Sequence, residues 1–251
     1  MTTTLQIFGI HGIGEVRAGE DLLSVIERGL RASAVQLQPG DILVVTHKIV
    51  SKAEARSIDL RTVEPSPLAQ QWGARWGKDP RQVEVVLREA ARIVRMDRGL
   101  IIAQTHHGFV CANAGVDASN VGADETVLLL PIDPDASARR LYEALRAALG
   151  FAVPVIISDS WGRPWRDGVT NVAIGVAGMQ PLADYRGRRD PYGYLLNASV
   201  MAVADELAAA AELVMGKLDQ RPVAVVRGYA YQPGAGTAQQ LVMPPERDLF
   251  R

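Results

Sequence analysis

Short apolar runs recur along the chain, and each is followed by polar residues or glycine. Runs of this length that are rich in β-branched and other apolar side chains are typical of buried strands. The pattern therefore predicts strands at residues 5–8, 42–46, 100–103, 109–112, 126–130, 153–158 and 223–227.

Other segments carry their apolar residues at helical spacing, and some begin or end with a capping signal. Asp79 can cap a helix whose first turn contains Pro80 and Gln82. A helix over residues 135–149 would stop at Gly150. The predicted helices are the segment of Leu22, Val25, Ile26, Gly29 and Leu30; the segment after Asp79 with Val83, Val86, Leu87 and Ala90 on its inner face; residues 135–149 with Leu141, Leu145, Ala148 and Leu149 facing inward; and the alanine-rich residues 197–215.

Helices and strands are mixed along the chain but do not settle into regular βαβ units. The pattern therefore indicates an α+β or α/β fold. With 251 residues, of which 48% are hydrophobic, the chain can bury the core of one large domain or of two modest ones. The loop at residues 57–67, which contains Pro65 and Pro67, is a candidate boundary.

Composition excludes several classes of protein. The formal net charge is −1, so the basic excess typical of a nucleic-acid-binding protein is missing. The apolar runs are far shorter than the roughly 20 residues of a membrane span, and the start lacks the pattern of a signal peptide. A single cysteine, Cys111, cannot form an intrachain disulfide. These features predict a cytoplasmic protein that binds neither nucleic acid nor membrane.

The densest polar cluster is CANAGVDASNV, at residues 111–121. It follows a predicted strand, and its small residues allow the backbone to approach a ligand closely. Asp117 offers an oxygen ligand for a hard cation, while Ser119 and Asn120 offer uncharged hydrogen-bonding groups. Taken alone, such a turn is usually structural, because these side chains bond to their own backbone.

A second cluster strengthens the case for a metal site. The strand at residues 153–158 runs directly into Asp159, Ser160, Arg163 and Arg166. A carboxylate at the end of a strand can hold Mg²⁺ or Mn²⁺, and nearby arginines can bind phosphate or carboxylate oxygens. The alternative is a solvated network of the two arginines with Asp167. Two strand-end carboxylates, each beside small polar residues, favour the metal.

The glycine-rich segment GIHGIG at residues 9–14 follows a predicted strand. A dinucleotide fingerprint would need glycine where Arg17 stands, so a dehydrogenase is disfavoured. The loop can still cradle a nucleotide or simply turn a corner. Lys48 and Lys52 follow another strand and could neutralise phosphate, although lysines in such positions are more often solvated.

Ten segments together resemble the coenzyme F420-0:L-glutamate ligase (γ-glutamyl ligase) family. They occur in order and cover essentially the whole chain, and NAGVDASN, SDSWGR and VADELA are the most specific. The segments are GIG, GEDL, VSKAEAR, NAGVDASNV, LLPIDPDASA, ISDSWGRPWRDG, AIGVAG, RRDPYGYLL, ADELAAAAELVMGK and PVAVVRG.

The resemblance implies a two-domain α+β fold and an intertwined homodimer. It implies an enzyme that uses GTP to activate the terminal carboxylate of F420-0, as an acyl phosphate that the amine of L-glutamate attacks, and that then adds further γ-linked glutamates. Mg²⁺ or Mn²⁺, together with K⁺, are the implied cofactors. Some relatives carry a fused nitroreductase-like domain, and none is expected within residues 1–251.

The resemblance also assigns residues. Asp117 and Asp159 are the expected catalytic ligands of one metal ion, and Ser160 is the expected ligand of a second. The expected GTP contacts are Ile13, Gly14, Glu15, Val16, His47, Lys48, Lys52, Asn120, Met215, Gly216, Lys217, Leu218, Asp219, Gln220, Arg221 and Pro222.

Lys217 departs from the family pattern, since archaeal relatives carry a glutamate for the second metal at this position. An ammonium group cannot bind a cation. Either the second metal is lost, or Asp219 replaces the ligand, or Lys217 neutralises phosphate instead. We favour the third, and a solvent-exposed Lys217 without a role is the alternative.

Two other functions fit the same residues. One is a metal-dependent phosphotransferase or phosphatase, for which phosphate release from GTP would not require both glutamate and a deazaflavin acceptor. The other is a nucleotide-binding module without turnover, which would bind GTP but yield no glutamylated product.

Overall fold

The computed structural model describes residues 4–118 and 125–249. The strands are β1 (Gln6–Ile10), β2 (Ile42–Thr46), β3 (Ser57–Asp59), β4 (Ala90–Asp97), β5 (Leu100–Thr105), β6 (Val110–Ala112), β7 (Thr126–Leu128), β8 (Val155–Arg163), β9 (Arg166–Ala177), β10 (Ala183–Asp184), β11 (Val200–Met201) and β12 (Val223–Arg227). The α-helices are α1 (Leu22–Ala32), α2 (His47–Ala53), α3 (Pro67–Trp76), α4 (Pro80–Glu89), α5 (Pro134–Leu149) and α6 (Val203–Met215).

A five-stranded sheet with the order β1-β12-β2-β8-β9 forms the centre of the fold. Strands β2 and β8 run parallel, and the other neighbours run antiparallel. The first four residues of β2 and of β12 are buried. Their sequences are continuously apolar because helices cover both faces of the sheet, as in other sheets that are buried on two sides.

Each face of this sheet has its own core. On one face, residues of α1 and α5 such as Ile26 and Leu141 pack with Leu43 and Ile157 of the strands. On the other face, α6 packs its buried alanines and Leu207 against neighbouring strands. The result is a three-layer arrangement, with the sheet between one helix layer on each side.

A third core is formed by residues 58–129 alone. The two-stranded sheet β3-β7, the three-stranded sheet β4-β5-β6 and the helices α3 and α4 enclose it. Val85 and Val127 are completely buried there. This unit lies between β2 and β8 in the sequence, so it is an insertion into the central sheet.

Several predicted elements are confirmed, and some boundaries were wrong. The strands at residues 42–46 and 223–227 agree residue for residue, and α5 ends at Gly150, which has the left-handed φ of 78°. Ala90 was predicted to be helical but begins β4. Ala148 and Leu149 were predicted to face inward but are exposed, because the last turn of α5 lies at the surface.

The predicted helix at residues 197–215 was too long. Helix α6 begins at Val203, because Val200 and Met201 pair with β10 as a short strand. Asp205 and Glu206 therefore fall in the first helical turn, where acidic side chains interact favourably with the helix dipole.

The mixed content of helices and sheets confirms the α+β class. The two-domain arrangement and the intertwined dimer remain predictions. Among the helices in the described part of the chain, none has the length and apolar character needed to cross a membrane.

Candidate functional site

A cavity of about 460 Å³ lies where the parallel pairing of β2 with β8 ends, at Thr46 and Ser158. This volume is within the ~300–1,000 Å³ of typical small-molecule sites, and ligands commonly bind at such strand ends. The cavity is lined by Gly14, Glu15, Thr46, Lys48, Ile49, Lys52, Asp159, Ser160, Asn171, Glu212, Met215, Gly216, Lys217, Leu218, Gln220, Arg221 and Pro222.

Most residues that the sequence assigned to GTP or metal therefore meet in one place. Gly14 and Glu15 come from the β1–α1 loop, Lys48 and Lys52 from α2, and Asp159 and Ser160 from β8. Seven of the eight residues from Met215 to Pro222 come from the last residue of α6 and the segment after it. Their shared position is a structural finding, and their roles remain predictions.

Other assigned residues do not line the cavity. Ile13 and Val16 are buried in the core on the α1 side of the sheet, and His47 is fully buried. Asp219 is not among the lining residues. Asn120, like Ser119, lies outside the described residues.

Lys48 and Lys52 are one helical turn apart on α2, and both are paired with carboxylates. The Nζ atom of Lys52 donates to Oε1 of Glu15 over 2.6 Å. The Nζ atom of Lys48 donates to Oδ2 of Asp117. Asp117 is held beside β7 by two backbone hydrogen bonds with Leu128. The expected metal ligand Asp117 is thus connected to the cavity through Lys48.

Asp159 is surrounded by hydrogen-bond donors. Its Oδ1 accepts the backbone N–H of Ser160 over 2.7 Å, and its Oδ2 accepts the indole N–H of Trp161 over 2.8 Å. Nε2 of His47 lies 3.3 Å from Oδ1. Burial alone would raise the pKa of Asp159, but His47 and these donors together lower it below 3.8. Asp159 is therefore held in its charged form.

His47 is anchored on its other side. Its Nδ1 lies 3.2 Å from Oγ of Ser51, one turn along α2, and both side chains are fully buried. Cys111 is buried in the same neighbourhood, where burial and the negative charge of Asp159 raise its thiol pKa to about 12. A thiol with this pKa is not a nucleophile at neutral pH, in line with its predicted role as a small core residue.

Asn171 and Glu212 are cavity residues that the sequence did not reveal. Asn171 is 5% exposed, and its Nδ2 donates to Oε2 of Glu212 over 3.0 Å. Asn171 interrupts an otherwise apolar stretch of β9, and Glu212 lies in the last turn of α6, where a carboxylate is unfavourable. An asparagine within an apolar strand and a carboxylate at the C-terminal end of a helix are both unusual, and the sequence alone shows both.

A β-bulge turns Asn171 towards α6. Pairing between β8 and β9 shifts after Ile157, whose partner is Gly175, because Ser158 pairs with Ala173. Val176 and Ala173 both pack in the core under α6, although they are three residues apart. Without the extra residue, strict alternation would place Asn171 on the opposite face of the sheet. Asn171 pairs with Ser160, so the two side chains share the α6 face.

The donor atoms fit a hard cation that binds together with a nucleotide. Within residues 4–118 and 125–249, no three His, Cys, Asp or Glu side chains converge to form a complete metal cage. Asp159 and Ser160 offer oxygen atoms, and Mg²⁺ commonly combines one or two carboxylates with substrate phosphates and water. Asp117 would have to exchange Lys48 for the ion.

Comparison with known proteins identifies the family. The family model described as F420-0:Gamma-glutamyl ligase matches residues 12–228. A coenzyme F420:L-glutamate ligase of Methanothermobacter thermautotrophicus is 45% identical over 250 residues, which are 98% of this chain and 99% of the relative. The protein of the same name from Methanopyrus kandleri is 46% identical over 253 residues, with 99% and 98% covered. The resemblance seen in the sequence is confirmed, and the chain belongs to the F420-0:gamma-glutamyl ligase family.

Proposed function

We propose that the chain is an enzyme that joins L-glutamate to coenzyme F420-0 through an amide bond, with GTP as the source of energy. Further γ-linked glutamates would follow in the same way. The names of the relatives support the ligase activity and its two organic substrates. The observation that carries the use of GTP is the meeting of lysines, an arginine and Asp159 in one strand-end cavity.

The lysines and the arginine would bind the phosphates. Lys48, Lys52, Lys217 and Arg221 line the cavity from two sides, and their charges would neutralise a triphosphate. Lys48 and Lys52 already lie beside carboxylates, so binding of the nucleotide would exchange one anionic partner for another. Glu15 lies on the glycine loop, whose Gly14 has the left-handed φ of 74°, a conformation that favours glycine.

Asp159 would hold a divalent ion, joined by Asp117 once Lys48 has moved to phosphate, and Ser160 would bind the hydration shell of this ion or a phosphate oxygen. Mg²⁺ or Mn²⁺ bound there would neutralise phosphate charge and polarise the γ-phosphoryl group. The low pKa of Asp159 keeps its carboxylate charged for this purpose. We also propose K⁺ as a cofactor, on the family resemblance alone.

The chemistry consists of two substitutions. A carboxylate oxygen of F420-0 would attack the γ-phosphorus of GTP, and the bond to the bridging oxygen would break to leave GDP and an acyl phosphate. The amine of L-glutamate would then attack the acyl carbon and expel phosphate. Positioning and charge neutralisation would supply most of the acceleration, as is general for phosphoryl transfer.

Lys217 lines the cavity, whereas Asp219 does not. These positions favour a lysine that neutralises phosphate over an aspartate that replaces a metal ligand. We propose that Lys217 reduces the dependence of the site on a second ion. We further propose a homodimer as the working unit, for which light scattering would return twice the monomer mass of 27.1 kDa.

The test is to incubate the protein with F420-0, GTP, Mn²⁺ and L-glutamate and to weigh the products by mass spectrometry. We expect F420 species that carry one or more added glutamyl residues, with sustained turnover of GTP to GDP and phosphate only when F420-0 and an amine nucleophile, here L-glutamate, are both present. Phosphate release when glutamate and F420-0 are both omitted would indicate a phosphatase or phosphotransferase instead. GTP binding without any product would indicate a module that does not catalyse.

A further inference from the structure

Glu212 differs from the other carboxylates that line the cavity. Glu15 is paired with Lys52, and Asp159 is surrounded by His47 and N–H donors. Among the described residues, Glu212 accepts a hydrogen bond from the neutral amide of Asn171 and pairs with no cationic side chain. Its carboxylate therefore lines the cavity without an ion pair to any described residue.

The position of Glu212 on α6 adds to this imbalance. It lies in the last helical turn, which contains no basic residue. A negative charge there is destabilised by the helix dipole. A buried amide, turned to this face by the bulge in β9, nevertheless holds the carboxylate at the cavity wall. The helix dipole disfavours a charge in this place, and a cationic ligand in the cavity would compensate it.

We propose that Glu212 binds the α-ammonium group of the incoming L-glutamate and accepts its proton. This inference rests on the proposed function. One proton of the ammonium group passes to a carboxylate oxygen of Glu212, which frees the nitrogen lone pair. The nitrogen forms a bond to the acyl carbon, and the carbon–oxygen bond to phosphate breaks. The departing phosphate takes up the second amine proton, so that a neutral amide remains.

An ammonium group fits this position better than a divalent ion does. One oxygen of Glu212 already accepts an amide N–H, so Asn171 presents hydrogen atoms rather than its oxygen to the carboxylate. Glu212 contributes one negative charge, which matches one ammonium group. The lysines and Arg221 line the same cavity, and in the proposed function they bind the nucleotide phosphates. Asn171 would act as a positioning residue for Glu212.

The experiment compares two nucleophiles in the Glu212→Gln enzyme. Hydroxylamine is uncharged at neutral pH, so it traps an acyl phosphate as a hydroxamate without an ammonium site or a base. We expect Glu212→Gln to form hydroxamate from F420-0 and GTP at close to the wild-type rate. With L-glutamate, its kcat/KM should fall about 100-fold, the typical contribution of a general base.

Glu206→Gln is the matched control, since it removes the same charge from an exposed position on the same helix. It should retain both reactions. Glu212→Asp keeps the charge on a shorter side chain, and it should raise the KM for L-glutamate while sparing hydroxamate formation. This second variant keeps the test decisive if Glu212→Gln folds poorly.

Two results would overturn the inference. The first is an equal loss of hydroxamate and glutamyl product in Glu212→Gln, with one fewer Mn²⁺ bound to the GTP-analogue complex, because Glu212 would then be a metal ligand. The second is an unchanged kcat/KM for L-glutamate. If the wild type forms neither product, the proposed function fails. Calorimetry of L-glutamate with the GTP-analogue complex then decides the inference, since Glu212→Gln should abolish binding that Glu206→Gln retains.

Discussion

The two ends of α6 each place a carboxylate against β9, with opposite consequences. Near the N-terminus, Oδ1 of Asp205 accepts the backbone N–H of Ala173 over 2.8 Å. Near the C-terminus, Glu212 accepts the side-chain amide of Asn171. The helix dipole stabilises the first charge and destabilises the second. Asp205 thus has an evident structural role, whereas Glu212 lines the cavity in a place that the helix dipole disfavours.

The two carboxylates differ in the donor that they accept from, which is a backbone N–H for Asp205 and a side-chain amide for Glu212. Ala173 lies at the bulge of β9, where the ladder is interrupted, and Asp205 satisfies its N–H. Asp135 acts similarly from the other side of the sheet, since its Oδ1 accepts the backbone N–H groups of Val176 and Ala238. Carboxylates bound to the backbone of this sheet therefore hold its shape, and those at the cavity wall are available for chemistry.

Asp159 is the sharpest test of that distinction, because it lines the cavity and also accepts one backbone N–H. If its charge serves metal and phosphate, Asp159→Asn should lower ligase turnover on the order of 10³-fold at saturating Mn²⁺. Asparagine keeps the shape of the side chain and one acceptor oxygen, but its amide nitrogen cannot accept from the N–H donor that it faces, so the free energy of unfolding should fall by about 1–3 kcal/mol while the fold persists. Asp167→Asn, an exposed change on the same hairpin, is the control. Near-normal turnover of Asp159→Asn would remove it from the chemistry.

The structural side of the comparison is tested at Asp205. Replacing it with alanine leaves the buried N–H of Ala173 without an acceptor, which should reduce the free energy of unfolding by about 1–3 kcal/mol. Urea unfolding followed by circular dichroism measures this loss. Asp205→Asn retains an acceptor and should lose less. Equal stability of the alanine variant and the wild type would show that the bulge needs no acceptor.

The pH dependence at Asp205 has a definite sign. Burial raises the pKa of this carboxyl above 3.8, so the folded state binds its proton more tightly than the unfolded state does. The resulting stabilisation is present below pH 3.8 and is lost as the pH rises through the folded pKa. The stability of Asp205→Asn relative to wild type should therefore increase over the same rise in pH.

Lys217 tests whether the segment after α6 serves the nucleotide. Lys217→Ala should weaken GTP binding about tenfold, as expected for one exposed, charge-assisted hydrogen bond. Calorimetry measures the affinity, and Lys78→Ala, in the inserted unit between β2 and β8, is the control for lost charge. Anomalous scattering from Mn²⁺ supplies the second readout. Two fully occupied ions beside Ser160 and Asp159, with an unchanged GTP KM, would contradict the proposed role.

Local pattern predicted the central sheet well. Strands β2 and β12 could be found because both faces are buried, which makes their sequences uniformly apolar. Helix α3 was missed, although Ser66 caps it and Gly77 ends it with a left-handed φ of 64°. Residues 57–67 were interpreted as a loop, whereas they contain β3, and Pro67 lies in the first turn of α3, where proline is favourable.

The site was predicted only in part, for a physical reason. The lysines directly follow β2. Asp159 and Ser160 were predicted to follow a strand that ends at residue 158, but β8 continues to Arg163, so both lie inside it, just beyond its parallel pairing with β2. Their convergence with the lysines at this edge of the sheet still follows from local pattern. The direction of Asn171 depends on the bulge, and one extra residue reverses every side chain beyond it. The position of Glu212 depends in turn on how α6 packs against that strand. Neither property is local, so spacing along the chain could not provide it.

The smallest predicted effect tests the comparison between the two ends of α6 directly. If Glu212 is destabilised by the helix dipole and Glu206 is stabilised by it, neutralising each should change stability in opposite directions. Glu212→Gln should raise the free energy of unfolding, and Glu206→Gln should lower it, each by about 0.3–1 kcal/mol at low ionic strength. Urea unfolding at two salt concentrations measures both, and salt should reduce both effects. Because Glu212→Gln retains a hydrogen-bond acceptor for Asn171, lost hydrogen bonding should not obscure the result. A loss of stability in Glu212→Gln would mean that the carboxylate supports the fold, and its proposed role as a ligand for the ammonium group would lose its main physical argument.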